Sequence, residues 1–503
     1  MKETSDLVAE QHRPHFHFTP PEMWMNDPNG MVYFDGEYHL CYQYYPYDNV
    51  WGPMHWGHAI SKDLVTWQHL PIALYPDPKG YIFSGSTVID WNNTSGFAET
   101  GDDIPPMVAI FTHHEPGGEK LANKKFQYQS IAYSNDKGRT WTKYEGNPVI
   151  PNPGIKDFRD PKVIWDKSSQ QWIMVFAAWD LIKIYGSSNL KDWTHLSDFG
   201  QEWGTHGGVW ECPDLFPMKV EETGEEKWVL LQSLNPGGPN GGSATQYFVG
   251  DFDGKEFTLD AQFANDVKAE SAVWLDYGRD NYAGVTWSDI PTSDNRRIFI
   301  GWMSNWDYAL KVPTDRWRSA MTIPRELTLH KTNDGFRVFS KPVNELTTLR
   351  KNSIELESGS KNGLIFSHNT TGGGRVIGEL DLTFSTSGKD ATKLIVELSN
   401  SKGENYKIGF DASTNQYFSD RTNAGKKEFS EKFASDLHVA PRFADKELIK
   451  FHLFIDVASA ELFADDGQTV LTDIFFPNED FSQLKVITEE GVAIIEKGTF
   501  YAY

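Results

Sequence analysis

The stretch WMNDPNGMVYFDGEYHLCYQYY, Trp24 to Tyr45, is two runs of aromatic and β-branched residues on either side of Asp35-Gly36. Both turn residues tolerate positive φ, so the stretch predicts two strands joined by a tight hairpin. Comparable turn signals stand at Asp136 to Gly138 and at Asp253-Gly254, and helical periodicity is nearly absent throughout. Working outward, HAISKDLVTW (His58 to Trp67) matches IAYSNDKGRTW (Ile131 to Trp141) and IYGSSNLKDW (Ile184 to Trp193), with a looser copy in YFVGDFDGKEF (Tyr247 to Phe257). Each copy reads as a strand, a polar turn and a Trp or Phe that can plug a core. Ahead of the copies stand short polar signatures: WMNDPNG, FSGS (Phe83 to Ser86), FRDPK (Phe158 to Lys162) and WECPDLF (Trp210 to Phe216). A fifth unit opens near DYGRDNYAG (Asp276 to Gly284) and runs through GWMSNW (Gly301 to Trp306). Five units of roughly four strands predict a five-bladed β-propeller with the signatures on the innermost strands, around a central channel. Unrelated hairpins in a sandwich are the bland alternative.

Beyond RELTLHKTNDGFRVFSKPVNELTTLR (Arg325 to Arg350) the composition shifts: Trp is absent after Trp317, and Ser, Thr, Gly and Lys increase. LIVELS (Leu394 to Ser399), KFHLFIDVASAELFADDG (Lys450 to Gly467) and GVAIIEKGTFYAY (Gly491 to Tyr503) alternate as antiparallel strands do when one face is buried. The expected fold is all-β, a five-bladed β-propeller followed by a C-terminal β-sandwich. The boundaries read from the sequence are an N-terminal tail over 1–12, the propeller over 13–335, a linker over 336–350 and the sandwich over 351–503. The sandwich reads as a packing partner, because no aromatic cluster marks its loops.

The 503 residues carry a net charge of −23, which argues against nucleic acid or an anionic membrane surface as partner. No apolar run is long enough to span a bilayer. MKETSDLVAEQHRPHF at the start lacks an apolar core, so the expectation is cytoplasmic if Met1 is the native start, and secreted or periplasmic if a signal peptide was trimmed. Cys41 and Cys212 give neither a disulfide framework nor metal-ligand spacing. His55 and His58, three apart on a predicted strand, point to opposite faces, so they do not read as a zinc pair. In DFDGKEFTLDAQ (Asp251 to Gln262), Glu256 stands where a calcium loop needs Gly and Gln262 where it needs Glu. No metal and no cofactor are expected, and the chain is expected as a monomer or homodimer.

Three acids in unusual contexts carry the chemistry. Pro28 and Pro161 directly follow Asp27 and Asp160, and Pro213 follows Glu211 after Cys212. Proline removes a backbone donor and biases the residue before it toward extended geometry, which suits a strand start or sharp turn. Gathering carboxylates from three distant units is what cleavage of a glycosidic bond requires: one attacks or activates water, and one protonates the leaving oxygen. Asn26 and Asn29 flank Asp27 with amide donors that favour its ionised form, as suits a nucleophile. Glu211, between Trp210 and Cys212-Pro213, has the drier setting of a general acid. Any one of these, among 70 Asp plus Glu, would read as a surface acid; the contexts set them apart.

WMNDPNG, FRDPK and WECPDLF, in that order, resemble the three motifs of glycoside hydrolase family 32, the fructosidases. The resemblance extends to WGPMHWGHAISKDLVTW (Trp51 to Trp67), FSGS and DVASAELF (Asp456 to Phe463). It implies a propeller-plus-sandwich fold and a retaining mechanism. By the same resemblance Asp27 is the nucleophile on a β-fructofuranosyl unit and Glu211 the acid and base. Asp160 hydrogen-bonds the fructose hydroxyls, together with Arg159, without reacting; the adjacent Arg159 charge is expected to keep Asp160 ionised. Asn26, Gln43, Trp51, Phe83 and Ser84 match positions lining the terminal fructose subsite, Trp306 matches an aromatic wall, and Asp280 and Tyr282 are further candidates. For these secondary residues a role in the propeller core is the alternative. The wording is closest to bacterial levanases and exo-inulinases, which implies exo-acting hydrolysis of levan, inulin, fructooligosaccharides and sucrose. The competing readings are an endo-acting fructanase, a non-catalytic fructan-binding propeller and an inverting arabinan-type propeller glycosidase. Inversion would separate the two carboxyls by roughly 6.5–9.5 Å, retention by roughly 5–5.5 Å. Two departures stand out: Cys41 where an aromatic is more usual, and Val457-Ala458 in place of an Arg-Ser pair, which puts that Arg's domain contact in doubt.

Overall fold

The computed structural model describes residues 10–99, 104–121, 124–370, 374–386 and 392–503. Residues 1–9 of the expected tail lie outside it. Blade I consists of β1 (Met23–Phe34), β2 (Glu37–Tyr45), β3 (His55–Ser61) and β4 (Trp67–Leu74). Blade II has β5 (Tyr81–Ile89), β6 (Met107–His114), β7 (Gln127–Ser134) and β8 (Thr142–Lys143). Blade III has β9 (Phe158–Asp166), β10 (Gln171–Ala178), β11 (Ile182–Ser187) and β12 (Thr194–Phe199). Blade IV has β13 (Val209–Lys219), β14 (Glu226–Asn235), β15 (Ala244–Phe252) and β16 (Phe257–Leu259). The chain then forms β17 (Tyr282–Thr286), β18 (Arg297–Met303), β19 (Trp317–Arg318), β20 (Ala320–Met321), β21 (Arg325–Thr332) and β22 (Gly335–Pro342). Of these, β17, β18, β20, β21 and β22 make blade V, while β19 leaves it and pairs in parallel with β1, Met23 opposite Trp317. The innermost strands β1, β5, β9, β13 and β17 pack each against the next and close a ring.

Asp35 and Gly36, at φ 50° and 85°, turn β1 into β2 with Phe34 opposite Glu37, the two-residue hairpin the sequence predicts. A less obvious regularity concerns the inner strands. Each loses register at the corresponding place: between Met25 and Pro28, Ile82 and Gly85, Arg159 and Lys162, Glu211 and Asp214, and Tyr282 and Val285; β1 shifts a second time, between Asn29 and Val32. These are β-bulges, which re-aim side chains. Three of them contain or end in a proline (Pro28, Pro161, Pro213), which has no N–H to waste where the ladder is already broken. The strained backbone concentrates there too, with Asp160, Cys212 and Ala283 at φ 65°, 46° and 52°.

The sandwich packs a seven-stranded sheet against a six-stranded one around Leu380, Leu382, Leu394, Val396, Phe451, Leu453 and Phe500. The stretch 336–342, expected to open a linker, lies in β22 and pairs along its length with β21; a 3-10 helix, Asn344–Leu349, follows before the first sandwich strand at Asn352. Residues 10–12, expected as tail, are docked. Gln11 Nε2 donates to the carbonyl of Pro477 at 3.3 Å, and the His12 ring meets Phe476 edge-on at 5.4 Å.

Propeller and sandwich are joined by buried charge. Asp456 accepts from the amides of His15 (2.7 Å) and Phe16 (3.2 Å) and pairs with His17 Nδ1 at 2.6 Å, while His17 Nε2 meets Glu461 at 2.7 Å. Burial works against a charge on His17, but the hydrogen bonds of the two carboxylates outweigh it and push its pKa up to about 9. Arg325, on β21, donates to Asp276 at 2.8 Å and also to Glu461, and Arg421 of the sandwich donates to Asp280 at 2.6 Å and to the Tyr308 hydroxyl at 2.9 Å. The contact left in doubt at Val457-Ala458 is therefore replaced by other residues. At Gly278 the domains touch backbone to backbone: a Cβ there would lie 2.1 Å from the N and O of Thr472. Among the described residues no helix is long and apolar enough to cross a membrane.

Candidate active site

The bulges turn the predicted acids toward one mouth of the ring. Asp27 Oδ1 accepts from Asn26 Nδ2 at 3.0 Å, and Asp27 Oδ2 accepts from Ser84 Oγ at 2.6 Å. Arg159 bridges the next group, donating from Nη1 to Asp157 Oδ1 (2.6 Å) and from Nη2 to Glu211 Oε1 (2.9 Å), with Asp160 Oδ2 at 3.8 Å from its Nε. The Tyr282 hydroxyl donates to the other Glu211 oxygen. Cys212 joins the two halves: its Sγ lies 3.5 Å from Asp27 Oδ2 and 3.6 Å from Asp160 Oδ2, and its amide donates to Asp160 at 3.1 Å. Carboxylates from blades I and III thus meet at one thiol of blade IV.

Three carboxylates, Asp157, Asp160 and Glu211, face one guanidinium, and the electrostatics follow. Burial, then the charge of Glu211, raises the pKa of Asp27, against the donors Ser84 and Asn26. Burial raises Asp160 to about 7; Arg159 pulls the other way, while Glu211 and Asp27 add to the rise. Arg159 favours the ionised form of Asp160 from 3.8 Å, while its closest contacts are to Asp157 and Glu211. Burial and the three acids hold the Cys212 thiol far above its usual range, so it is a neutral S–H. Glu211 keeps 19% of its side-chain surface against 5% for Asp160, so Glu211 is the one placed to exchange protons with solvent.

Two expectations change. Asn29 does not support Asp27; its amide donates to the carbonyl of Pro28, and its oxygen accepts from Gln43. Ser84 takes that role. Trp210 does not dry Glu211, because adjacent strand residues face opposite ways: its indole is fully buried in the blade core and donates to the Thr205 carbonyl.

Of the remaining candidates, Gln43 is buried with both amide hydrogens used, on Asn29 (2.8 Å) and the Ile82 carbonyl (3.0 Å), so it orients the wall from behind. Phe83 stacks on His114 at 4.2 Å and meets Trp51 edge-on at 6.1 Å. Trp51 and Trp306, with Val50 and Leu310, line a small cavity at the same mouth, and Trp306 is backed by Trp24 at 5.9 Å. Asp280 is not in the pocket: it is fully buried between the domains, bonded to Tyr308, Arg421 and the amide of Ile474. Sequence reasoning missed Asp157 and Cys212 as members of the site. Neither residue type carries a sequence signal of its own for this; the Glu211-to-Asp214 bulge that places Cys212 there is seen only in the structure. Among the described residues no group of His, Cys, Asp and Glu is arranged to hold a metal ion.

Below the acids the shaft is blocked. Lys162, two residues on from Asp160, donates to the Thr286 carbonyl and lies 3.5 Å from the fully buried Asp214.

A family model described as the N-terminal domain of glycosyl hydrolases family 32 matches residues 17–342, and one described as the C terminal of that family matches 345–502. A levanase of Bacillus subtilis (strain 168) is 49% identical over 99% of this chain and 71% of its own length. An extracellular exo-inulinase of Aspergillus awamori is 40% identical over 96% of this chain and 93% of its own. Among solved structures, an exo-inulinase from Aspergillus awamori superposes with a TM-score of 0.89 at 36% identity, covering 98% of this chain and 99% of the other. A fructofuranosidase from Schwanniomyces occidentalis in complex with fructosylnystose gives a TM-score of 0.87 at 34% identity, covering 98% of both chains.

Proposed function

The chain belongs to glycosyl hydrolase family 32, and from that premise we propose that Asp27, Glu211 and Asp160 together remove terminal β-fructofuranosyl units. The protein is an exo-acting β-fructosidase on fructans and sucrose. One observation carries the assignment of roles: acids from three blades converge within 3.6 Å of Cys212 Sγ or one guanidinium away from it, at the closed end of a pocket. A blind pocket admits a chain end and not a chain middle, which favours exo over endo action.

In the first step an oxygen of Asp27 attacks the anomeric carbon, and the electron pair of the breaking C–O bond leaves with the glycosidic oxygen, which takes a proton from Glu211. Ser84 and Asn26 hold the attacking carboxylate and the rise in its pKa keeps it basic. In the second step water attacks the same carbon, its proton passes to Glu211, and Asp27 departs as carboxylate; two inversions give retention. Tyr282 and Arg159 fix the Glu211 carboxyl through both proton transfers. Asp160 accepts hydroxyl hydrogen bonds that tighten as positive charge develops on the ring.

Product analysis on levan, inulin and sucrose tests this. Fructose as the only early product from the polymers is expected. Oligosaccharides would overturn exo action, and absence of fructose at any pH would return the chain to a binding module. Failure to trap a fructosyl-enzyme would remove Asp27 from its role.

A further inference from the structure

A second, large cavity among the described residues lies apart from the catalytic pocket. It opens at the other mouth of the ring, has a volume of about 1040 Å³, and begins on the far side of Lys162. It is built from the opposite ends of the inner strands, reaching Met218 where the catalytic mouth has Glu211 on the same β13. Seven residues of strand make that separation about 23 Å. Its volume is at the upper end of the range for small-molecule sites, about 300–1,000 Å³.

The lining has two properties that packing does not explain. First, polar groups there lack partners. Arg297 makes no hydrogen bond or ion pair among the described residues; its guanidinium rests over the Phe216 ring at 4.6 Å. Ser288 Oγ is buried without a partner. Leaving such groups dry and unpaired costs stability unless something meets them. Second, an indole is held out as a platform. Trp91 is 60% exposed, yet its N–H is fixed to Asp289 Oδ1 at 2.9 Å, and Asp289 stands at φ 57°, a conformation disfavoured for that residue type outside turns and sites. Trp228, backed by Phe252 at 5.0 Å, forms part of the same wall.

We propose that this lower funnel is a second binding site, for an uncharged fructan segment, which stacks on Trp91 and Trp228 and hydrogen-bonds to Arg297 and the Ser288 hydroxyl. An anion would face Asp289 and Glu326, and a cation would face Arg297 and Lys162; a polyol uses a fixed donor and a fixed acceptor at once. Aromatic faces supply the rest, as amphipathic rings do for sugar faces. That the polyol is a fructan rests on the function proposed above. Since Lys162 and Asp214 close the shaft, the funnel cannot feed the catalytic pocket from below. It holds one part of a long polymer while a free end reaches the upper mouth, which raises the effective concentration of ends for polymers and does nothing for sucrose.

The test uses the full chain. Asp27→Ala protein, which does not turn over, is titrated by calorimetry with a fructooligosaccharide and, in a separate arm, with a β-glucan oligosaccharide of equal length. Two fructan sites are expected, one of them lost in Asp27→Ala/Trp91→Ala. In otherwise native protein, Trp91→Ala raises KM for levan or inulin about fivefold or more, with kcat and sucrose hydrolysis unchanged. One fructan site that survives Trp91→Ala overturns the funnel, as does equal binding of the β-glucan. One site that Trp91→Ala abolishes supports the funnel and counts against the catalytic reading. Because Trp91 is exposed, its loss does not threaten folding; Arg297→Gln provides a second variant with the same expectation.

Discussion

Proline next to a carboxylate is the residue-scale device of this molecule. In the sequence it marks Asp27 and Asp160 as unusual; in the structure it occupies the broken rung that lets each acid leave the strand's regular alternation. The three reactive-site acids were legible for this reason. Asp157 and Cys212 were not, because nothing about either residue type signals that a bulge will bring it within reach of a distant blade. Asn29 misled, since its neighbour relation to Asp27 along the chain is undone by the same bulge. The electrostatics give a direct test. After burial, the charge of Glu211 is the main cause of the raised Asp27 pKa. Glu211→Gln removes that charge, so Asp27 ionises at lower pH. With an activated aryl fructoside, whose leaving group needs no protonation, the acidic limb of kcat/KM should move to lower pH, while sucrose turnover falls by about 10²–10⁴-fold. A limb that stays in place would show that Asp27 is not the group that must be ionised.

At the scale of elements, hairpin chemistry and the repeated strand-turn-aromatic pattern were enough to count five blades. The outcome at 336–342 shows the limit: the Asn333-Asp334-Gly335 turn signal stands directly before β22 and joins it to β21, but the composition shift that follows sets the boundary at the turn. The segment around His17 was silent in sequence, because its partners Asp456 and Glu461 lie more than four hundred residues away. Its consequence is a pH-dependent clasp. His17 is raised from 6.5 to about 9 on folding, so its contribution is complete below pH 6.5 and is lost as pH rises through about 9. Over that window the contribution is on the order of 3 kcal/mol. His17→Gln should lower the Tm most near pH 6 and least above pH 9. A difference in Tm that is flat with pH would mean that His17 is held neutral.

For the whole molecule, the propeller and sandwich are one cooperative body because charges are buried between them. Asp280 illustrates how function and scaffold can be confused from sequence, since it stands in the same fifth unit as Tyr282, which does reach the site. Asp280→Asn leaves Arg421 buried with its counter-charge gone, which costs about 3–5 kcal/mol. The expected result is a markedly lower Tm with KM for sucrose unchanged at low temperature; a raised KM with normal stability would restore Asp280 to the sugar site.

The strand β19 has a kinetic meaning. Two residues borrowed from the fifth blade's excursion lie along β1 at Met23 and Trp24, three positions from the nucleophile, and complete the ring without a covalent join. That seam is short, parallel and made late in the chain, so it is the natural place for the circle to come apart on heating. When it parts, the strand that carries Asp27 loses β19 and keeps β2 and its bridge from Val32 to Ser288, while the outer strands of every blade remain paired. Loss of turnover should therefore precede loss of β-sheet signal in a thermal ramp, and rapid cooling should restore activity as long as the remaining blades still template the joint.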